Sequence, residues 1–70
     1  MPRKLRELRA DLRRSGFVLV RTKGSHETWQ HPSDDETNVV LAGGDGDDAK
    51  QYQERDIRRG IRAVEKRTKK

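Results

Sequence analysis

Two histidines, His26 and His31, are the residues of this sequence best suited to proton transfer near neutral pH. His26 has the cations Arg21 and Lys23 shortly before it. Catalysis on a phosphodiester needs such cations, because they hold the anion and stabilise the charge that develops on phosphorus. The grouping therefore indicates proton transfer on a phosphodiester, with His26 as the acid or base and with Arg21 and Lys23 as phosphate contacts.

The dipeptide Gly24-Ser25 directly precedes His26. The glycine allows a ligand to approach the backbone closely, and the serine hydroxyl can hydrogen-bond a phosphate or orient the imidazole. The same dipeptide is also typical of a hairpin turn, after which His26 would be an ordinary residue at the start of a strand. His31 precedes Pro32, which favours an extended backbone, so we expect His31 to have a structural role at the end of a strand.

The sequence offers few ligands to a metal ion. It has no cysteine, which excludes thiolate ligands and cysteine nucleophiles. The acidic run at residues 45–48 lacks the rest of a calcium-binding loop, and the two histidines do not stand at a recognised ligand spacing. We therefore predict no metal and no cofactor, and we interpret the acidic run as a flexible turn and helix cap.

The composition limits the size of the core. Of the 70 residues, 29% are hydrophobic and 41% are charged. We predict a single domain over residues 1–70, of marginal stability without a partner. No apolar run approaches the roughly 18 residues that a membrane span requires. We expect a soluble, cytoplasmic protein without a membrane partner.

The formal net charge of +5 is unevenly distributed, because both ends of the chain are basic and the middle is acidic. Such a distribution favours nucleic acid as a partner, although charged runs are also typical of solvated helix faces. Near the C-terminus, arginines fall opposite the apolar positions of a predicted helix, namely Arg55, Arg58, Arg59 and Arg62. There they could follow a phosphate backbone, and we predict Arg58, Arg59 and Arg62 as RNA contacts.

Two aromatic side chains each have two possible roles. Trp29 could stack on an RNA base or fill the core, and we include it among the predicted RNA-binding residues. Tyr52 presents the same choice, and we expect it to anchor the segment that leads into the second helix.

The spacing of apolar residues predicts a first helix. Its stripe consists of leucines three and four positions apart, at Leu5, Leu8 and Leu12. Pro2 fits the first turn of this helix. Ser15-Gly16 is expected to end the helix after about Arg14, since glycine adopts the left-handed backbone conformation that follows a helix end at little cost in energy. We expect the arginines of this segment to point away from the leucine stripe.

Three strands are predicted next. Residues 17–21 are rich in β-formers and predict a strand that is covered on both faces for most of its length. Residues 26–31 predict a second strand, which Pro32 ends because proline cannot donate to the ladder. Residues 33–36 predict a polar turn, and residues 37–41 a third strand of an antiparallel meander.

A second helix is predicted from the apolar residues Ile57, Ile61 and Val64. It begins with a capping box between Asp48 and Gln51, or as late as Gln53. Gly60 inside this helix lowers helix stability by about 1 kcal/mol relative to alanine. The tail at residues 66–70 is expected to fray. The predicted order is α-β-β-β-α, an α+β fold with two helices on one face of a three-stranded antiparallel sheet.

The block at residues 16–26, GFVLVRTKGSH, followed by a strand that closes in His31-Pro32, resembles the HicA toxin family, small ribonucleases of bacterial toxin–antitoxin pairs. The resemblance covers roughly residues 3–65. It implies a fold similar to a double-stranded RNA-binding domain, cleavage of messenger RNA, and neutralisation by a HicB antitoxin. It also implies that His26 is the catalytic residue and that Gly24 shapes the site. The acidic loop and the charged tail after Val64 depart from the family's pattern.

We therefore predict the toxin of a toxin–antitoxin pair, a metal-independent ribonuclease that cuts mRNA with His26 and has RNA and a HicB-type antitoxin as partners. Gly24 and Ser25 are expected to shape its site. The alternative is a small RNA-binding module in which His26 has no catalytic role. A third possibility is a protein-interaction domain, whose RNA binding would be weak and would lack the steep salt dependence that counterion release produces.

Overall fold

The structure, a computed structural model, describes residues 3–68 of the chain, apart from the side chains of Asp35 and Thr68. Its elements are α1 (Leu5–Arg14), β1 (Val18–Lys23), β2 (His26–His31), β3 (Asp34–Ala42) and α2 (Gln51–Thr68). The three strands form one antiparallel sheet in the order β1-β2-β3. The predicted α-β-β-β-α order of an α+β fold is therefore confirmed.

Helix α1 begins at Leu5, and its N-terminus is capped by its neighbours. The backbone N–H of Lys4 donates to Glu7 Oε2 at 2.9 Å, which satisfies one of the donors that a helix start leaves open. The helix ends before Ser15-Gly16, where Gly16 has the positive φ of +93° that the sequence predicts for a stop. Pro2, predicted in the first turn, lies outside the described residues.

The core lies on one face of the sheet. Its buried residues are Leu5, Leu8, Leu12, Phe17, Trp29, Val39, Leu41, Ala49, Ile57 and Val64. Val39 and Leu41 of β3 are buried, whereas Val40 between them is half exposed. Because alternate residues of a strand face opposite sides, both helices cover the same face of the sheet, and the other face is open to solvent.

Strand β1 lies at an edge of the sheet and is exposed throughout, so the prediction that it is covered on both faces is wrong. Val18, Leu19 and Val20 each remain between 45% and 49% exposed. The physical reason is position, since β1 has a strand neighbour on one side only and the helices cover β2 and β3 instead. The register between β1 and β2 shifts between Leu19 and Arg21, which makes Val20 a bulge.

Strand β3 begins at Asp34, three residues earlier than predicted, and the turn that precedes it is Pro32-Ser33. Asp34 is buried, and its carboxylate accepts hydrogen bonds from Thr37 Oγ1 at 2.6 Å and from the Glu36 N–H at 3.2 Å. Arg67 of α2 adds an ion pair to Asp34 at 3.4 Å. These partners compensate for the burial of the Asp34 carboxylate, so that the strand can begin at a polar residue. The sequence pattern alone does not indicate this early start of β3.

Helix α2 begins at Gln51, and Gln53 supplies its cap. The Lys50 N–H donates to Gln53 Oε1 at 2.8 Å, while Gln53 Nε2 donates to the carbonyl of Ala42 at 3.2 Å. The predicted capping box between Asp48 and Gln51 is therefore wrong, because the Asp48 carboxylate instead pairs with Lys4 Nζ at 2.6 Å.

The C-terminal part of α2 continues beyond the apolar pattern. The helix runs through Thr68, and Arg67 pairs with Asp34 and Glu36 of β3. Lys69 and Lys70, the last residues of the tail expected to fray, lie outside the described residues. Within residues 3–68, neither helix combines the length and the apolar character needed to cross a membrane.

Gly60 lies where α2 approaches the sheet most closely. A methyl group added at its Cα would lie 2.7 Å from Val39 Cγ2 and 3.8 Å from Phe17 Cζ. The sequence predicts only a cost in helix propensity for this glycine. The structure shows what offsets that cost, because a glycine here lets the helix rest directly on β3.

Candidate functional site

His26 is the first residue of β2 and lies directly after the Gly24-Ser25 turn. It is exposed, and its backbone pairs with Lys23 of β1 on one side and with Ala42 of β3 on the other. Residues that pair directly across strands have their Cβ atoms about 5 Å apart. The amine of Lys23 is therefore close enough to contact an anion bound at His26.

His26 lies on the open face of the sheet, opposite the helices. Trp29 of the same strand is buried in the core, so the residues one and three positions before it, Thr28 and His26, point the other way. Arg21 pairs with Thr28 and lines a groove of about 470 Å³ on this face. The structure thus places Arg21, Lys23 and His26 on the same exposed face of the sheet.

The cations of this surface are available to an external anion. Within the part of the chain that the structure describes, neither Arg21 nor Lys23 forms an ion pair. Glu27, the carboxylate nearest in sequence to His26, is bound by Arg9 instead. Its position in the strand directs it to the opposite face, so it does not neutralise the cations on the His26 side.

Gly24 determines the shape of the turn before His26. Its φ is +60°, and it occupies the first of the two residues that join β1 to β2. A two-residue hairpin with glycine at this position matches a type II′ turn, in which that residue requires a positive φ. An added methyl group would meet no atom within 4 Å, so the constraint on Gly24 is its backbone angle and not the available space.

A buried arginine holds helix α1 against the strand of His26. Arg9 has a side chain only 8% exposed, and it donates to Glu27 Oε1 at 2.8 Å, to the carbonyl of Gly43 at 2.6 Å, and to Asp45. Burial alone would lower the pKa of Arg9, but the hydrogen bonds to Glu27 and Asp45 outweigh it and raise that pKa. Glu27 also accepts from Trp29 Nε1 at 3.3 Å.

This network contradicts the expectation that the arginines of α1 point away from the leucine stripe. Arg9 follows Leu5 by four positions and therefore lies on the same face of the helix. An arginine at such a position requires buried acceptors. That spacing is the signal by which the network could have been found.

The acidic loop between β3 and α2 is bound to α1 by several contacts. Asp45 pairs with Arg9, and Asp48 pairs with Lys4. Asp47 accepts from the Gly44 N–H at 2.8 Å through its side chain and from the Leu5 N–H at 2.9 Å through its carbonyl. The loop therefore joins β3 to the start of α1. Within residues 3–68, no group of three or more histidine or acidic side chains is arranged to hold a metal ion.

Trp29 does not offer a surface to RNA. It is 1% exposed, and the guanidinium of Arg13 lies 5.3 Å from its ring centroid. A base needs an open ring face on which to stack, so the prediction of Trp29 as an RNA-binding residue is wrong, and the residue belongs to the core. Tyr52, expected to anchor the approach to α2, is instead 49% exposed, and the buried Gln53 is the anchor.

The arginines of α2 are separate from His26. Gly60 and Ile57 of this helix are buried, with Gly60 against Val39 of the sheet. The four arginines lie on the opposite side of the helix and are exposed, where they line a shallow pocket of about 190 Å³, namely Arg55, Arg58, Arg59 and Arg62. Because the helices cover the core face and His26 lies on the open face, the structure does not bring Arg58 and Arg62 to the His26 surface. Arg59 lines a pocket with Asn38 and Val40, and so reaches the edge of the open face at β3.

His31 has the structural role that the sequence predicts. Its ring packs edge-on against Phe17, with 5.6 Å between the ring centroids. Its Nδ1 accepts a hydrogen bond from the Ser33 N–H at 3.0 Å, which stabilises the turn after β2.

Comparison with known proteins supports the family resemblance seen in the sequence. The family described as the HicA toxin of bacterial toxin–antitoxin systems matches residues 5–65 of the chain, which include every helix and strand except the last turn of α2. No curated protein and no solved structure shows a significant match. Since the match spans most of the 70 residues, the chain belongs to the HicA toxin family.

Proposed function

We propose that this protein is the toxin of a toxin–antitoxin pair and that it cuts messenger RNA with His26 as the group that transfers protons. Membership of the HicA toxin family supports the toxin role. The single observation that carries the catalytic proposal is that His26 is exposed and directly paired with Lys23 at a turn that depends on Gly24.

In the proposed mechanism, His26 accepts the proton of a ribose 2′-hydroxyl as that oxygen attacks the adjacent phosphorus. The bond from phosphorus to the 5′ oxygen breaks, and this oxygen leaves with a proton from the imidazolium or from water. The products are a 2′,3′-cyclic phosphate and a free 5′-hydroxyl. Lys23 and Arg21 hold the phosphate and stabilise the charge that develops on it, and no metal ion takes part. Gly24 and Ser25 shape the turn that presents the imidazole.

The test compares the wild-type protein with His26→Ala on labelled RNA in the presence of EDTA. Proton transfer by one positioned group accounts for about 10²- to 10⁴-fold in rate, or roughly 3 to 5 kcal/mol, so we expect a loss of that size with an unchanged melting temperature. DNA of the same sequence should bind without being cut, because it lacks the 2′-hydroxyl. Cleavage of RNA by the His26→Ala variant at the wild-type rate would disprove the proposal.

We further propose a HicB-type antitoxin as the protein partner and the cytoplasm as the place of action. The family supports a partner of the antitoxin kind. Production of the wild-type chain alone should stop growth of a bacterial host, and co-production of the antitoxin should restore it. His26→Ala should not stop growth, and toxicity of that variant would show that the harm does not come from RNA cleavage.

The second candidate function is RNA binding without catalysis. The observation that favours it is the exposed row of α2 arginines on the side away from His26. Simultaneous substitution of Arg58, Arg59 and Arg62 by alanine should reduce the salt dependence of RNA binding. Each contact to a single-stranded phosphate contributes about 0.7 to the slope of log K against log salt concentration, so the loss of three contacts should lower this slope by about 2. RNA binding with no cleavage that depends on His26 would support this second function.

A further inference from the structure

A surface pocket of about 380 Å³ opens beside the His26 turn. Ser25, the residue before His26, and Ala42, the strand partner of His26, both line this pocket. Tyr52, in the first turn of α2, lines it as well. The pocket and His26 therefore lie at the same end of the sheet, where β2 begins and β3 ends.

Tyr52 gives this pocket an aromatic surface. The chain has one phenylalanine, one tryptophan and one tyrosine, all within the described residues, and only the tyrosine is exposed. Phe17 and Trp29 are buried in the core. An exposed aromatic ring beside a catalytic group on RNA is a surface on which an unpaired base stacks.

Hydrogen bonds hold the start of α2, and with it the backbone of Tyr52, against the sheet near His26. The next residue, Gln53, is buried and donates from Nε2 to the carbonyl of Ala42 at 3.2 Å. Its Oε1 accepts from the Lys50 N–H at 2.8 Å, and the two hydrogen bonds together attach the N-terminal turn of α2 to the end of β3. Since Ala42 pairs with His26, these contacts connect the backbone at the start of α2 to the backbone of β2 at His26. A site that selects a position along RNA needs such a fixed spacing.

The charge of the pocket favours a base over a phosphate. Its lining holds two carboxylates, Asp47 and Asp48, and one cation, Lys50, so acidic groups outnumber basic ones. Carboxylates repel phosphate, and their oxygens can accept hydrogen bonds from the N–H groups of bases. The unpaired cations Arg21 and Lys23 lie on the open face of the sheet instead. The two regions therefore suit the two parts of one nucleotide, with the phosphate at the cations and the base in the pocket.

We propose that this pocket binds one unpaired nucleobase of the RNA, stacked on Tyr52, next to the phosphodiester on which His26 acts. This inference rests on the proposed ribonuclease function and adds to it a subsite that determines where the RNA is cut.

The binding test uses the full chain with His26→Ala, so that RNA stays intact. The probe is a short single-stranded RNA that carries one 2-aminopurine, whose fluorescence falls when the base stacks. We expect quenching that saturates with protein, and an affinity lower by about 5- to 100-fold when Tyr52→Ala is added. Tyr52→Phe is the matched control, because it keeps the ring and removes only the hydroxyl, and its affinity should stay within about twofold of the parent. Equal quenching and affinity with Tyr52→Ala would overturn the proposal.

The cleavage test uses the same tyrosine variants with His26 intact. Tyr52→Ala should raise KM and change the distribution of cut sites along a mixed-sequence RNA, whereas Tyr52→Phe should keep both. Cleavage that needs His26 but is unaffected by Tyr52→Ala would overturn the base pocket and leave the ribonuclease function standing. Conversely, loss of quenching with Tyr52→Ala in a protein that does not cut RNA would refute only the catalytic function.

Discussion

Arg9 and Glu27 join helix α1 to the strand of His26, with 2.8 Å between Arg9 Nε and Glu27 Oε1. The pair lies on the core face of the sheet, and Glu27 is the residue directly after His26. The same guanidinium also holds Gly43 and Asp45 of the acidic loop. One side chain thus connects the first helix, the central strand and the loop that leads to α2, and it does so on the face opposite the imidazole.

Replacement of Arg9 by methionine should destabilise the protein by about 2 to 4 kcal/mol, because it leaves the partly buried Glu27 without its cationic partner and with only the hydrogen bond from Trp29. The measurement is the free energy of unfolding in urea. Arg6→Met, on the exposed side of the same helix, is the control and should change this free energy by less than about 0.5 kcal/mol. Equal small effects of the two substitutions would show that the Arg9 network contributes little.

Gly60→Ala should destabilise the protein although alanine is the better helix former. The added methyl group would lie 2.7 Å from Val39 Cγ2, and such overpacking costs about 1 to 3 kcal/mol. Val39→Ala removes that Cγ2, so the double variant should lose less than the sum of the two single variants. Denaturation of all four proteins measures the coupling, and strictly additive losses would contradict the close contact between α2 and β3.

Gly24→Ala tests whether the turn geometry matters for activity. With φ at +60°, an alanine here is strained by about 1 to 3 kcal/mol and should shift His26, so both stability and RNA cleavage should fall. Gly46→Ala is the matched control, because Gly46 has no positive φ and an added methyl group there meets no atom within 4 Å. A Gly24→Ala protein with wild-type cleavage would show that the turn does not need glycine.

Asp34 should make stability depend on pH in the acidic range. Its hydrogen bond from Thr37, aided by the Glu36 N–H and by Arg67, holds the pKa of Asp34 below its ordinary value of 3.8. Since the folded pKa is the lower one, the stabilisation is complete above pH 3.8 and is lost as the pH falls through the folded pKa. Asp34→Asn should therefore be less stable than the wild type near neutral pH, and the difference should shrink on acidification. A difference that does not change with pH would argue against this assignment.

The sequence predicts the complete element order and the turn that precedes His26. Leu5, Leu8 and Leu12 indicate α1 through their spacing alone, and Gly24-Ser25 marks the turn before His26, because both signals are local. The exposure of β1 could not be predicted from its apolar residues, since a run of valine and leucine suits a central strand as well as an edge strand. Which neighbours a strand receives is a property of the tertiary structure.

The aromatic residues show the same limit. Trp29 and Tyr52 each could fill the core or face solvent. The structure buries Trp29, a predicted RNA contact, and exposes Tyr52, the expected anchor of the approach to α2. Composition favours a buried tryptophan in a protein with so few large apolar residues. The exposure of Tyr52 follows from Gln53, a polar residue whose burial depends on a carbonyl of β3 that no sequence pattern indicates.

The bulge at Val20 has a consequence for how this protein behaves at high concentration. An edge strand as apolar as β1 offers its free N–H and carbonyl groups to a strand of another molecule, which is the first step of fibre growth. The extra residue interrupts that row and increases the local twist, and the charged Arg21 and Lys23 follow it. Self-association through this edge is therefore opposed by the inserted Val20 and by the two cations that follow it. Deletion of Val20 would leave only the cations to prevent the edge from pairing with another molecule.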